Sequence, residues 1–296
     1  MNKGYVVALG TFDGVHKGHR KLIERARHMA KEKGVLPMVL TFSNHPMEYL
    51  GRPPKLLMSH NRRIECLGEL CDRVTAIPFT HEIATMPPRE FVKMLMERGG
   101  MCGAVMGYNY TFGANAFGDA TLMAKLGREM SFDTEIVSPV AHGNRLVSST
   151  LIRSLLEQGH IELANEMLCS HFFIEGKVIR NRRIGGSLLG YPTANIELST
   201  RQVLPKNGVY ITRTEYRGRS YASITNIGEN PTVNGTKLSI ETHIMDFSGD
   251  LYDENLKIEF YSYIRPGVKF DTLEELSQRI MVDEGIARSY FNMSHR

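Results

Sequence analysis

Cysteine, long apolar runs, internal repeats and an excess of either charge are all scarce in this chain. Its four cysteines, Cys66, Cys71, Cys102 and Cys169, form no Cys-x-x-Cys pair and no regular framework. That argues against a disulfide scaffold and a zinc site, and fits thiols in a reducing compartment. No apolar run reaches the ~20 residues that a spanning helix needs, so no membrane partner is expected. A strand signal begins within a few residues of Met1 and leaves no room for a signal peptide, so the expected location is cytoplasmic. The formal net charge of +4 suits small anionic substrates. It lacks the clustering along one face that nucleic-acid binding requires, so no nucleic-acid partner is expected. The sharpest basic cluster, Arg180-Asn181-Arg182-Arg183, reads as a solvated loop. With 296 residues, 42% of them hydrophobic and 23% charged, the chain has the composition of a globular protein and room for two domains. Composition leaves the oligomeric state open.

The most informative stretch is Gly10-Thr11-Phe12-Asp13-Gly14-Val15-His16-Lys17-Gly18-His19. Before it, Tyr5-Val6-Val7-Ala8-Leu9 reads as a buried strand. After it, Leu22, Ile23, Ala26, Met29 and Ala30 recur at helical spacing, which predicts a helix starting near Gly18. A strand, a glycine-rich turn and a helix together aim free backbone N–H groups at an anion in the turn. Two imidazoles three residues apart at the helix start can both donate to one phosphate.

Further strands are predicted at 37–42, 74–77 and 104–106, with helices at 60–71 and 88–99 between them. This alternation implies a parallel sheet that binds ligands at the carboxyl edge of its strands. Ser148 or Ser149 can cap a helix that turns Ile152, Leu155 and Leu156 inward, and 160–169 reads as a last short helix. Beyond about residue 172 the texture changes. Alternating runs at 208–212, 220–224, 238–244 and 256–260, separated by turn clusters, predict a small antiparallel barrel. Helical patterns at 273–280 and near 284–291 follow.

The decapeptide at 10–19 resembles the nucleotidyltransferase signature, in the longer form of bacterial bifunctional riboflavin kinase/FMN adenylyltransferases (FAD synthetases). The resemblance implies an α/β nucleotidyltransferase domain at 1–168, followed by a riboflavin-kinase-like β-barrel domain with a C-terminal helix at 172–296. It assigns His16 and His19 to the transferring phosphate of ATP. Gly10, Phe12, Asp13, Gly14 and Gly18 become the ATP loop, although an Asp before Gly more often only caps its turn. Ser148-Ser149-Thr150-x-Ile152-Arg153 matches the family's Ser-Ser-Thr-x-Ile-Arg segment, so the three hydroxyl residues bind ATP and Arg153 grips the leaving pyrophosphate. Gly107-Tyr108-Asn109-Tyr110-Thr111-Phe112-Gly113 resembles another family segment, with Asn109 an ATP contact and Phe112 on the flavin side. Thr41-Phe42-Ser43-Asn44-His45-Pro46 resembles the family's flavin-side Thr-Phe-x-Pro-His-Pro loop, which brings in His45 and Pro46. Asn44 replaces its usual proline, and Ala116 stands where arginine is common.

In the second half, Leu189-Gly190-Tyr191-Pro192-Thr193-Ala194-Asn195 matches the Pro-Thr-Ala-Asn motif of riboflavin kinases. By that resemblance Thr193 and Asn195 hold Mg²⁺ and nucleotide phosphates, and Glu241, within Ile240–Phe247, is the general base. Asn226–Thr232 also resembles the family. The preceding loop departs from its pattern: one residue is inserted after Ile179, and the family's Gly-Arg pair gives way to Gly185-Gly186-Ser187. Gly267 stands where glutamate is usual, and Leu168-Cys169-Ser170-His171-Phe172 replaces the boundary Leu-Gly-Arg-Pro-Tyr. The expected reaction is transfer of AMP from ATP to FMN with Mg²⁺, and weak or absent phosphorylation of riboflavin. The alternatives are a fully bifunctional enzyme, a transferase for another phosphorylated small molecule, and a flavin-sensing module in the C-terminal half.

Overall fold

The computed structural model describes residues 4–180, 193–198, 201–232 and 235–292. Packing divides the chain into two compact units, Met1–Leu151 and Ile152–Arg296.

In the first unit β1 (Tyr5–Leu9) leads into α1 (Lys17–Lys33), β2 (Leu36–Phe42), the one-turn α2 (Pro46–Tyr49), α3 (His60–Gly68) and β3 (Val74–Ile77). Then come α4 (His81–Thr85), α5 (Pro88–Glu97), β4 (Met101–Gly107) and a two-residue ribbon of β5 (Thr111–Phe112) with β6 (Gly118–Asp119). The unit ends with α6 (Ala120–Met130), β7 (Asp133–Val137) and a ribbon of β8 (Ala141–His142) with β9 (Arg145–Leu146). The main sheet is parallel throughout, in the order β3-β2-β1-β4-β7. β1 lies centrally, and Val6, Val7, Ala8 and Leu9 are all buried, as a strand covered on both faces requires. α1 forms because Leu22, Ile23, Ala26 and Ala30 make one buried stripe, and it stops at Gly34 in the left-handed conformation. Parallel strands bring the loops after β1, β2 and β4 to one edge. The strand order reverses between β1 and β4, the usual place for a ligand crevice.

α7 (Ser149–Gln158) contains the division between the units, and α8 (Ile161–Leu168) goes with the second. Asn165 ties α8 to the barrel, donating to the Phe260 carbonyl at 2.8 Å and accepting from the Phe172 amide at 2.7 Å. The barrel comprises β10 (Phe172–Ile179), β11 (Thr193–Leu198), β12 (Gly208–Tyr216), β13 (Arg219–Thr232), β14 (Gly235–Ile244) and β15 (Asn255–Arg265). It closes in the order β10-β11-β14-β13-β12-β15 with antiparallel pairing. Buried Thr212, Thr214, Ser223, Thr225 and Thr242 satisfy one another through a chain of hydroxyl hydrogen bonds.

The C-terminal helix, expected in two pieces, is one continuous α9 (Leu273–Tyr290). Asp283 lies on its inner face, where apolar periodicity would call for a hydrophobe, and it is buried because Arg265 forks onto its carboxylate at 2.6–3.0 Å. Among the described residues no helix is long and apolar enough to cross a membrane.

Candidate active site

The loop from β1 to α1 carries three residues at positive φ: Phe12 (55°), Gly14 (84°) and Val15 (42°). Glycine takes this conformation freely, whereas a β-branched valine there is strained. Strain of that kind persists only where neighbours over-determine the backbone, and here they do. Phe12 is fully buried. The Asp13 carboxylate accepts the Leu57 amide at 3.0 and 3.3 Å, and the Asp13 carbonyl accepts the Ser149 hydroxyl at 2.8 Å. Thr11 offers its carbonyl to the Thr41 hydroxyl at 3.1 Å and to Arg63 Nη1 at 2.8 Å. Asp13 therefore faces inward and shapes the loop.

His16 caps α1, its Nδ1 accepting the His19 amide at 3.4 Å. In a neutral ring that leaves the proton on Nε2 as a donor. The two imidazoles stack with centroids 3.6 Å apart, and His19 meets the Phe12 ring edge-on at 5.2 Å. Gly18 permits this stack, since a Cβ there would sit 3.1 Å from the His16 ring. His19 Nδ1 is buried, with no hydrogen-bond partner among the described residues. Burial, and then the charges of His16 and Arg63, push the His19 imidazole well below the usual histidine range. The first turn of α1 holds no acidic residue to compete with an anion.

The start of α7 meets this loop. Ser148, not Ser149, is the cap, accepting the Leu151 amide at 3.2 Å, while Ser149 is spent on the Asp13 carbonyl. Thr150 is exposed beside them, and Arg153 follows one turn along the helix. Sequence separation of more than 130 residues thus closes into one cluster holding Gly10–His19, Ser148 and Ser149.

The neighbouring loops leave the same sheet edge. His45 caps α2, accepting the Met47 amide at 3.2 Å, with Pro46 in its first turn. Asn44, standing where the family has proline, exchanges two hydrogen bonds with the Phe79 backbone, at 2.7 and 3.2 Å. The amide pair fixes the loop by another means. Asn109 is exposed in the turn closed by the Tyr110 amide on the Gly107 carbonyl at 3.0 Å. Phe112 is a core residue, stacked on Tyr110 at 5.8 Å and packed against Phe91. Arg63 is buried in α3, and a single cation in an amphipathic helix carries no sequence signature.

In the barrel, register brings the candidate residues into rows. Asn195 on β11 lies opposite Glu241 on β14, and Glu241 lies opposite Asn226 on β13. Thr193, two residues before Asn195, shares its face of the strand. Ser239 donates to Glu241 Oε1 at 2.8 Å. Among the described residues no three His, Cys, Asp or Glu side chains gather to hold an ion. The neutral oxygens of Thr193 and Asn195 beside a carboxylate are nonetheless the hard donors that suit Mg²⁺. Leu189–Pro192 and the divergent loop through 181–188 lie outside the described residues. Arg180 is described, its guanidinium 4.9 Å from the Tyr252 ring centroid. Among the described residues, nothing lies within 4 Å of where a Cβ at Gly267 would stand.

Comparison with known proteins bears on both halves. A family model described as FAD synthetase matches residues 1–151, and one described as riboflavin kinase matches residues 168–291. The chain is 34% identical over 299 residues to a bifunctional riboflavin kinase/FMN adenylyltransferase of Bacillus subtilis (strain 168), covering 97% of this chain and 92% of the relative. Proteins of the same name from Pseudomonas fluorescens (34% identical; 97% and 93% covered) and Escherichia coli K12 (31%; 99% and 94%) are similar too. A crystal structure described as a macrolide-efflux protein from Streptococcus pneumoniae superposes with a TM-score of 0.87 at 27% identity, covering 97% of this chain and 95% of that one.

Proposed function

The chain belongs to the bifunctional riboflavin kinase/FMN adenylyltransferase family, and from that premise we propose that it makes FAD by transferring AMP from ATP to FMN, with weak or absent phosphorylation of riboflavin. Adenylyl transfer is assigned to residues 1–168 and the kinase-like site to 172–296. The observation that carries the reading is the stacked His16–His19 pair at the start of α1, joined through Asp13 to the start of α7.

A phosphate oxygen of FMN attacks the α-phosphorus of ATP, a new P–O bond forms, and the bond to pyrophosphate breaks. The demand on the protein is positioning and stabilisation of charge on the transferring group. His16 and His19 donate to the α-phosphate oxygens, assisted by the N–H groups of the α1 start. Kept neutral in the free protein, His19 gains positive character once the polyphosphate arrives, because the anion's field opposes the effects that depress its pKa. The start of α7 and Arg153 hold the departing pyrophosphate, and Asn109 contacts ATP. His45 and Pro46 shape the flavin side, and Phe112 supports it from beneath.

In the barrel, Thr193 and Asn195 would hold Mg²⁺, which supplies neutralisation of nucleotide phosphate charge, while Glu241 takes the proton of a ribityl hydroxyl. That row is intact in register. The kinase deficit is argued from the inserted residue and lost Gly-Arg pair after Ile179, and from Gly267. Phosphate grip tolerates misplacement of only about 0.5 Å. The test is incubation of the full-length protein with FMN, ATP and Mg²⁺, and separately with riboflavin, ATP and Mg²⁺, followed by chromatography of the flavins. FAD from FMN is the expected product. No FAD from FMN refutes the adenylyltransferase reading, and ready formation from riboflavin of FMN, or of FAD made from it, refutes the kinase deficit.

A further inference from the structure

Arg63 is only 5% exposed. A charge so far from water needs acceptors, and every hydrogen bond its guanidinium makes among the described residues goes to a neutral one. Nη1 donates to the Thr11 carbonyl at 2.8 Å, Nη2 to the Phe42 carbonyl at 2.6 Å, and Nη2 also lies 3.0 Å from His60 Nδ1. Thr11 belongs to the strained loop between β1 and α1. Phe42 is the last residue of β2, three positions before His45. One planar group therefore spans the two loops assigned to ATP and to the flavin acceptor.

From this geometry we propose that Arg63 is a positioning residue for adenylyl transfer, a two-armed brace that fixes the phosphate loop relative to the acceptor loop so that the FMN phosphate and the ATP α-phosphorus meet in line. The inference rests on the functional reading above. Each end of the brace is reinforced. Thr41 Oγ1 donates to the same Thr11 carbonyl at 3.1 Å, and Asn44 pins the acceptor loop to the Phe79 backbone. The strained φ values of Phe12 and Val15 give the first loop a reason to relax if released. The position requires arginine, because the rigid fork reaches one carbonyl in the loop after β1 and another at the end of β2, and an ammonium is a point charge.

The experiment compares full-length wild type, Arg63→Lys, Arg63→Met and Thr41→Val in FAD formation from FMN and ATP, varying each substrate and recording thermal melts. Misplacement by about 1 Å can cost 10²-fold in rate. Folded Arg63→Lys and Arg63→Met should therefore both lose about 10–100-fold in kcat. KM for either substrate should change by less than about threefold, the signature of a lost transition-state arrangement. Thr41→Val keeps a buried β-branched side chain and should lose a smaller part of kcat, about threefold. Recovery of wild-type kcat by Arg63→Lys would show that charge alone matters and overturn the brace. If neither Arg63 variant folds, Thr41→Val decides, and a wild-type kcat there overturns the proposal. A wild-type protein that makes no FAD refutes the functional reading itself, an outcome distinct from active wild type with unaffected variants.

Discussion

Replacing His19 with alanine separates folding from chemistry in a way the geometry makes quantitative. The substitution deletes a ring stacked on His16 at 3.6 Å and edge-on to Phe12 at 5.2 Å. Such ring pairs contribute about 0.5–1.5 kcal/mol each. It also deletes Nδ1, buried with no hydrogen-bond partner among the described residues, and removing an unsatisfied polar atom returns about 1–3 kcal/mol. The two effects nearly cancel, so stability at neutral pH should move by less than about 2 kcal/mol. Turnover should not be spared. A donor aimed at developing phosphate charge is worth about 2.7–4 kcal/mol, or 10²–10³ in the rate of FAD formation. A second signature follows from linkage. The folded His19 pKa lies below the unfolded value of about 6.5, so the unfolded chain binds the extra proton as pH falls. The stability this group contributes is fully present above about pH 6.5 and declines below it, and His19→Ala should flatten that part of the profile. Initial rates with chromatographic detection of FAD, together with melts from pH 5 to 8, measure both. A folded His19→Ala protein with wild-type turnover would refute the phosphate role, and an unchanged pH profile would refute the neutral imidazole.

Arg153→Lys should weaken ATP binding and turnover together, since lysine lacks the planar fork that grips pyrophosphate; unchanged kcat and KM would make Arg153 a solvated helix residue. Asp283→Ala should destabilise the barrel unit by about 3–5 kcal/mol in chemical denaturation, because it strands the Arg265 guanidinium; a loss below about 1 kcal/mol would show that the pair is effectively solvated. Gly267→Glu places its Cβ where no atom of the described residues lies within 4 Å. Combined with the family's loop across 180–187 it should raise riboflavin phosphorylation, measured as FMN plus the FAD made from it, and no gain would place the lesion elsewhere.

Legibility in the sequence followed how strongly each element's physics marks its residues. Tyr5–Leu9 declared itself because a strand buried on both faces is apolar throughout, and the barrel strands did so by alternation. β7 was not legible, because Asp133-Thr134-Glu135 on an edge strand reads as polar loop. α9 reads as two pieces in the sequence because Asp283 replaces a hydrophobe on its buried face, which the tertiary partner Arg265, with Arg279 one turn earlier, makes tolerable. The motif carried His16, His19 and Ser148 together in linear order, but not the direction each side chain faces. That Asp13 turns inward to Leu57, that Ser149 is spent on a carbonyl, and that Arg63 joins two loops are facts of packing between segments distant in sequence. In the sequence Asn44 is a departure from a motif, and only its partner on the Phe79 backbone gives it a role.

The central claim is that one chain moves the α-phosphoryl group of ATP readily and the γ-phosphoryl group poorly. Supplying full-length protein with FMN and α-labelled ATP, and in parallel with riboflavin and γ-labelled ATP, follows each transfer by the label that enters the flavin. The account predicts rapid appearance of α-label in FAD and little or no γ-label in FMN or in the FAD made from it, whereas γ-label entering these flavins as fast as α-label enters FAD would contradict it.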